Sequence, residues 1–457
     1  MKRNALKDLS NWRKRKNRKP LVIRGARQVG KTWIVREFGK SEFKNIVEIN
    51  FDKHKDIANL FLQPDMHMLL KNLELELNVD IKAGDTLLFL DEIQSAPEVL
   101  ARLRYFFEDM PDLHIIAAGS LLEFLLEEHD FSMPVGRIEY LFLGPMTFEE
   151  FLLGLQEEKL VNYLNQFTFK DSIQETIHQK LMTYVKSFFI VGGMPGVVAA
   201  FREQMDYREA LREQQSILQT YVDDFNKYHK RVNQTKINSV FQRIPALIGQ
   251  KLKYVNLDRN ETSAKLSKAI HLLELARVIY CVKHTNANGL PFEAEVNDRN
   301  YKTLYLDIGL VQSSLNLQYS KILQSHELIS INSGALAEQY VGQHLLFDTV
   351  FFEKPSLYYW NREKKSSTAE IDYLISNEGE IIPVEVKAGK TGSLKSLHLF
   401  ISKKKSRFAI KFSSSRPIYN QLETIIPGLE QQNFTLLSIP FYLIGQCRRL
   451  LSNYQRG

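Results

Sequence analysis

Gly25-Ala26-Arg27-Gln28-Val29-Gly30-Lys31-Thr32 fits the spacing G-x-x-x-x-G-K-[ST] of a phosphate-binding loop. Its flanks agree. Leu21-Val22-Ile23, opened by Pro20, is a short apolar run suited to a buried strand. After the loop, Trp33, Ile34, Val35 and Phe38 carry apolar bulk at helical spacing up to Gly39. Strand, glycine loop and helix in that order explain the chemistry. Glycines let backbone N–H groups curl into an anion nest. The following helix turns its positive end toward the same phosphates. Lys31 brings a charge to the β/γ-phosphates, and the Thr32 hydroxyl can ligate Mg²⁺.

A second signature is Thr86-Leu87-Leu88-Phe89-Leu90-Asp91-Glu92. An apolar run ending in two acids describes a buried parallel strand with carboxylates at its C-terminal edge, where such sheets bind ligands. Asp91 is expected to hold Mg²⁺ and Glu92 to polarise the attacking water as general base. His114 to Ser120 reads as another core strand; Ser120 either senses the γ-phosphate or caps a helix expected over 121–128. Arg137, after a turn around Pro134 and before a strand at 139–143, suits transition-state charge and equally a structural ion pair. Arg102 and Arg104 are rivals for the same role.

Composition bounds the class. The 457 residues carry a net charge of +7, a pI near 9.0 and 44% hydrophobic residues, so several globular domains and an acidic partner are compatible with the chain. Cys281 and Cys447 are isolated, which excludes a disulfide framework or a Cys-type zinc cluster and suits a reducing cytoplasm. No apolar run reaches the length of a membrane span, and no apolar core follows the basic N-terminus as in a secretory signal. Residues 1–20 hold nine Lys or Arg against Asp8 alone. They read either as a solvated helix capping the first domain or as an arm for nucleic-acid phosphates.

The segments RGARQVGKT, LLFLDEIQ, AAGSLLEF, GRIEYLFLGPMTFEEF and FFIVGGMP resemble a bacterial and archaeal group of AAA-type P-loop ATPases with a C-terminal domain of unknown function. The resemblance spans nearly the whole chain. It implies ATP and Mg²⁺ as cofactors, and a P-loop core followed by a winged-helix region and a restriction-endonuclease-like module. Ser120 departs from the Asn common at sensor positions in other AAA ATPases.

The middle of the chain reads as mostly helical, over 171–190 and 206–228, with a break at Gly192-Gly193-Met194-Pro195-Gly196. That break is either a tight loop against the first domain or a plain interhelix turn. Residues 225–284 hold twelve Lys or Arg against Asp258, Glu261 and Glu274. Helices expected over 235–250 and 261–277, then a hairpin beginning at Val278, follow the winged helix-turn-helix order. On DNA, Lys265 and Lys268 would approach phosphates; as a docking or lid module the same fold needs no nucleic acid.

The end of the chain carries a candidate second chemistry. Glu370-Ile371-Asp372 leads through a turn at Asn377-Glu378-Gly379 to Val384-Glu385-Val386-Lys387. Side chains alternate along a strand, so Glu385 and Lys387 share a side. An acid followed by E-x-K after a hairpin is the arrangement of a metal nuclease, with two carboxylates on Mg²⁺ and a lysine orienting water. The alternative is a charged hairpin face with cross-strand ion pairs. The family resemblance adds Glu338, from an amphipathic helix beginning at Gly334, as a third acid. Lys395 is a further phosphate candidate, and the segment 434–439 is expected as an edge strand.

The sequence thus predicts an α/β protein: an AAA-type core over 1–160, a helical middle with a winged helix over 161–320, and a PD-(D/E)xK nuclease-like α/β domain over 321–457. The expected function is a cytoplasmic Mg-dependent ATPase coupling nucleotide state to DNA binding or processing. The alternative is a nucleotide-switched protein-binding module with an inert nuclease-like end. DNA, a protein partner and further copies of the chain stay open as partners.

Overall fold

The computed structural model describes residues 1–120, 122–124, 136–225, 234–317, 320, 333–348, 351–364, 367–389 and 394–455. The turn around Pro134 and most of the helix expected over 121–128 lie outside these residues. The chain divides into two units. One comprises residues 1–144 with 275–278 and 351–355, and the other contains most of the remainder.

The first unit is built on five parallel strands, β1 (Leu21–Arg24), β2 (Asn45–Asn50), β3 (Thr86–Asp91), β4 (His114–Ala118) and β5 (Glu139–Phe142). Their order is β2-β3-β4-β1-β5. Strands covered on both faces read as continuous apolar runs, and Leu87 to Leu90 are all fully buried. Helix α1 (Ala5–Lys14) buries Ala5, Leu9 and Trp12; α2 (Lys31–Glu42) buries Ile34, Val35, Phe38 and Gly39. The first twenty residues cap this unit. Arg3 donates to Val29 O at 2.9 Å and Gly144 O at 2.7 Å. Arg13 pairs with Glu42 at 2.8 Å, and Arg18 donates to Asp112 O at 2.7 Å. Several basic residues of the segment are therefore engaged within the unit, as the capping reading requires.

The second unit contains helices α3 (Glu175–Val191), α4 (Tyr207–Phe225), α5 (Gln234–Arg243), α6 (Ser263–Leu275), α7 (Ser333–Phe347) and α8 (Lys395–Lys404), and a mixed sheet. Its strands are β6 (Ile279–Thr285), β7 (Val296–Tyr305), β8 (Tyr358–Lys364), β9 (Ser367–Asn377), β10 (Glu380–Val386), β11 (Phe408–Ser413), β12 (Ile418–Glu423) and β13 (Asn433–Pro440). They are ordered β12-β13-β11-β10-β9-β8-β6-β7.

Two expectations change here. The hairpin β6–β7, expected as a wing, is the edge of this sheet, because β6 pairs with β8. The strand at 433–440 is interior, between β11 and β12, and its second half is buried. The β9–β10 turn forms as expected. Glu380 opposes Asn377, and Glu378 and Gly379 both have positive φ, 47° and 80°, which a two-residue turn with the twist of the strands requires. The Gly192-Gly193 break packs within this unit. Gly193 N donates to the buried Asp307 at 2.7 Å, and a Cβ on Gly193 would lie 2.2 Å from Met146 O. Among the described residues no helix is long and apolar enough to cross a membrane.

Candidate active site

The loop Gly25–Thr32 joins β1 to α2 at the carboxyl edge of the first sheet. Two glycines are needed there. A Cβ on Gly25 would lie 2.3 Å from Leu143 O, and Gly30 has φ 93°. The chain turns into α2 at Lys31, so the first helical N–H groups face the loop without helical acceptors. Lys31 is buried and donates to Gly25 O at 3.0 Å and Ala26 O at 2.7 Å, which holds its charge inside the loop. Burial lowers its ammonium to about 8, against the pull of Glu92, Glu123 and Asp91.

The sheet order sets β1 and β3 on either side of β4, and the two signatures meet at one edge. Thr32 Oγ1 lies 3.2 Å from both carboxylate oxygens of Asp91. Asn50, opposite Asp91 in register, donates to it at 3.2 Å. Burial, then the charges of Glu92 and Glu48, push the Asp91 carboxyl up to about 6. A cation would relieve that cost, so Thr32 and Asp91 fit as the pair that would hold Mg²⁺. Glu92 follows in a left-handed conformation, φ 51°. Its Oε2 accepts from Gln94 at 2.6 Å and lies 3.5 Å from Ser120 Oγ. Ser120 therefore reaches the site through Glu92.

Glu123, three residues after Ser120, is buried between Arg24 and Arg277. Arg24 Nη2 stands at 3.0 Å, and Arg277 Nε donates to the same oxygen. Burial opposes ionisation, but the two guanidiniums hold its carboxyl below the usual range. Arg137 is elsewhere: it donates to Glu108 at 2.8 Å, where Arg104 also pairs. Arg102 lies over Tyr105. Of the expected site residues, the structure gathers Gly25 to Thr32, Asp91, Glu92 and Ser120, and leaves Arg137 in an ion pair. Asn50 and Gln94 were not foreseen. Their one sequence signal is that each is polar beside the end of an apolar strand.

In the second unit, Glu338, Glu370, Asp372 and Glu385 form a carboxylate cluster with Lys302 and Lys387. Lys302, on β7, is 2% exposed. Its Nζ contacts Glu370 Oε1 and lies 3.4 Å from Glu338 Oε2 and 4.0 Å from Asp372 Oδ1. Burial works against that ammonium, but Glu338, Asp372 and Glu370 outweigh it and hold it charged. Asp372 Oδ2 accepts from Val386 N at 2.7 Å, and Lys387 pairs with Glu385. Burial raises the carboxyls of Glu338, Asp372 and Glu385. Of the expected triad, Glu338 and Asp372 lie around the Lys302 ammonium, while Glu385 pairs with Lys387. Among the described residues no three His, Cys, Asp or Glu side chains form a group able to hold a metal. Lys265, expected on DNA, is exposed and pairs with Glu261 at 3.2 Å; Lys268 is exposed on the same helix.

Residues 17–152 match the family described as AAA domain. Residues 182–321 and 333–442 match two domains of unknown function, DUF8612 and DUF4143. None of the curated proteins compared with the chain matches it. Among solved structures, the chain is similar to the Walker-type ATPase PABY2304 of Pyrococcus abyssi, at 15% identity and a TM-score of 0.42, over 68% of this chain and 94% of that one. It is also similar to the ORC2 protein of Aeropyrum pernix in its ADPNP–ADP complexes, at 12% identity and a TM-score of 0.35, over 67% of this chain and 88% of that one. The chain carries an AAA-type P-loop ATPase domain, followed by two domains of unknown function.

Proposed function

We propose that the first unit binds Mg-ATP and hydrolyses it, and that nucleotide state governs DNA binding by the basic region over 225–284. The observation that carries the hydrolytic part is the contact between Thr32 and both oxygens of Asp91, with Glu92 the next residue. Main-chain amides of Gly25 to Thr32 hold the phosphates, and Lys31 neutralises charge on the β/γ-phosphates. Thr32 and Asp91 would hold Mg²⁺, which would supply positive charge against the transferred phosphoryl group. Glu92, oriented by Gln94, accepts the proton of the attacking water. Ser120 stands beside Glu92 and adjusts its position.

A second reading is favoured by Lys302. With an ammonium among the acids of the C-terminal sheet, the molecule suits a nucleotide-switched binding protein whose nuclease-like cluster cuts nothing. ATPase measurements with and without duplex DNA separate the two. Stimulation by DNA supports coupling to nucleic acid, whereas indifference supports the switched binding protein. Lys31→Ala tests the common basis: nucleotide affinity should vanish, and persisting affinity would remove the loop from the mechanism.

A further inference from the structure

The carboxylate cluster of the second unit is assembled from distant parts of the chain. Glu338 comes from α7, Glu370 and Asp372 from β9, and Glu385 from β10. Lys302 comes from β7, which reaches the cluster because β6 joins β8 and extends the sheet. The lysine is fixed along its path. Its ammonium passes 5.3 Å from the centre of the Tyr359 ring on β8. The helix above it is fixed too. Tyr373 Oη donates to Glu338 O at 2.9 Å, and a Cβ on Gly342 would lie 2.5 Å from that hydroxyl. Helix α7 therefore lies tight on β9 with Lys302 among its acids.

We infer that Lys302 is a resident counter-cation: its ammonium takes the position among Glu338, Glu370 and Asp372 that a divalent ion would need, and the cluster is metal-free while Lys302 is present. Three considerations support this. A divalent ion needs oxygens at about 2.0–2.6 Å from a common centre, and Lys302 Nζ lies within 4.0 Å of all three acids. A second cation at that distance would be repelled in surroundings that screen poorly. Each acid also has a partner already. Lys302 takes Glu338 and Glu370, the Val386 amide takes Asp372, and Lys387 takes one oxygen of Glu385. The other oxygen, Glu385 Oε2, is buried without a hydrogen-bond partner among the described residues and marks the side of the cluster that Lys302 does not reach.

This inference is independent of ATP hydrolysis. It also fits the residue pattern, since the acids and the E-x-K lysine of a metal nuclease are kept while Lys302, from another strand, takes the place beside Glu338, Glu370 and Asp372. Lys302 then ties β7 to α7 and β9, and the cluster acts as a structural joint.

The test is Mn²⁺ binding by the full-length protein, read by electron paramagnetic resonance of the free ion. A Thr32→Ala/Asp91→Asn background removes the nucleotide-site ligands. With Lys302 present, no site sensitive to Asp372→Asn should be found. Lys302→Met, which keeps the length and removes the charge, should gain one Mn²⁺ site about 100-fold tighter than the residual non-specific binding of the Lys302 protein, because affinity follows the count of uncompensated carboxylates. Adding Asp372→Asn should abolish it. Lys302→Arg should remain metal-free. A Mn²⁺ site in the Lys302 protein that Asp372→Asn removes would overturn the inference, whether or not Lys302→Met folds. A folded Lys302→Met with no gain would overturn it equally.

Discussion

Replacing Asp91 with Asn should make the nucleotide-free first unit more stable while removing its use of Mg²⁺. Asp91 is 3% exposed, and its carboxyl is pushed from 3.8 to about 6 by burial and by the charges of Glu92 and Glu48. A rise of that size corresponds to about 3 kcal/mol against the ionised form. The effective dielectric of even buried protein sites is high enough to bring the net cost to about 1–2 kcal/mol. The pH dependence has a definite sign. Between about 4 and about 6 the folded unit holds a proton that the unfolded chain has released, so stability falls as pH rises through that window. Above about 6 the penalty is constant. Asn avoids it and can still meet the Thr32 hydroxyl and the Asn50 amide, which lie 3.2 Å from the Asp91 oxygens. Hydrogen exchange of the β1 and β3 amides, read by mass spectrometry without nucleotide, reports opening of this unit. At pH 8 exchange in Asp91→Asn should be about 10-fold slower, and the difference should shrink toward pH 4. Mg²⁺ should no longer add to the protection given by ATP. Equal or faster exchange in the variant at pH 8, or a gap that ignores pH, would refute the reasoning.

Glu92→Gln should keep ATP affinity within a few-fold and lower kcat by about 10²–10⁴, the usual worth of a general base; single-turnover hydrolysis beside a binding titration checks both. Glu123→Ala should destabilise the first unit by about 3–5 kcal/mol, because it leaves the guanidiniums of Arg24 and Arg277 without their shared carboxylate. Since that carboxyl is held below 4.5 in the folded chain, the wild-type contribution should be complete above about 4.5 and fade as pH falls further, which denaturation at pH 3 and pH 7 would show. Lys265→Glu with Lys268→Glu should weaken duplex DNA binding and lower its salt slope by about 2, with an unchanged slope removing this helix from the proposed interface.

Some of this was legible in the chain alone because the chemistry is local. The loop Gly25 to Thr32 is contiguous, and its flanking strand and helix follow from short-range apolar spacing. Leu87 to Glu92 is legible for the same reason, since a run buried on both faces and ending in acids has few other uses. The β9–β10 hairpin was legible from its turn residues, because both central positions need positive φ and a two-residue turn fixes the register.

Tertiary structure alone decided which strands became neighbours. Periodicity states that 279–305 is a hairpin but not whether it stands free as a wing or extends a sheet; that depends on β8 pairing with β6. The same step brings Lys302 to Glu338, 36 residues away, and to the acids of β9. Arg277 meets Glu123 across 154 residues, and no spacing rule contains that pair. The phosphate loop needs backbone atoms that one turn can place, so the sequence determined it, whereas the meeting of Thr32 with Asp91 needed the sheet order. The charge balance of the C-terminal cluster depends on a sheet order reached only when the whole unit packs, and there the fold set Lys302 beside Glu338, Glu370 and Asp372.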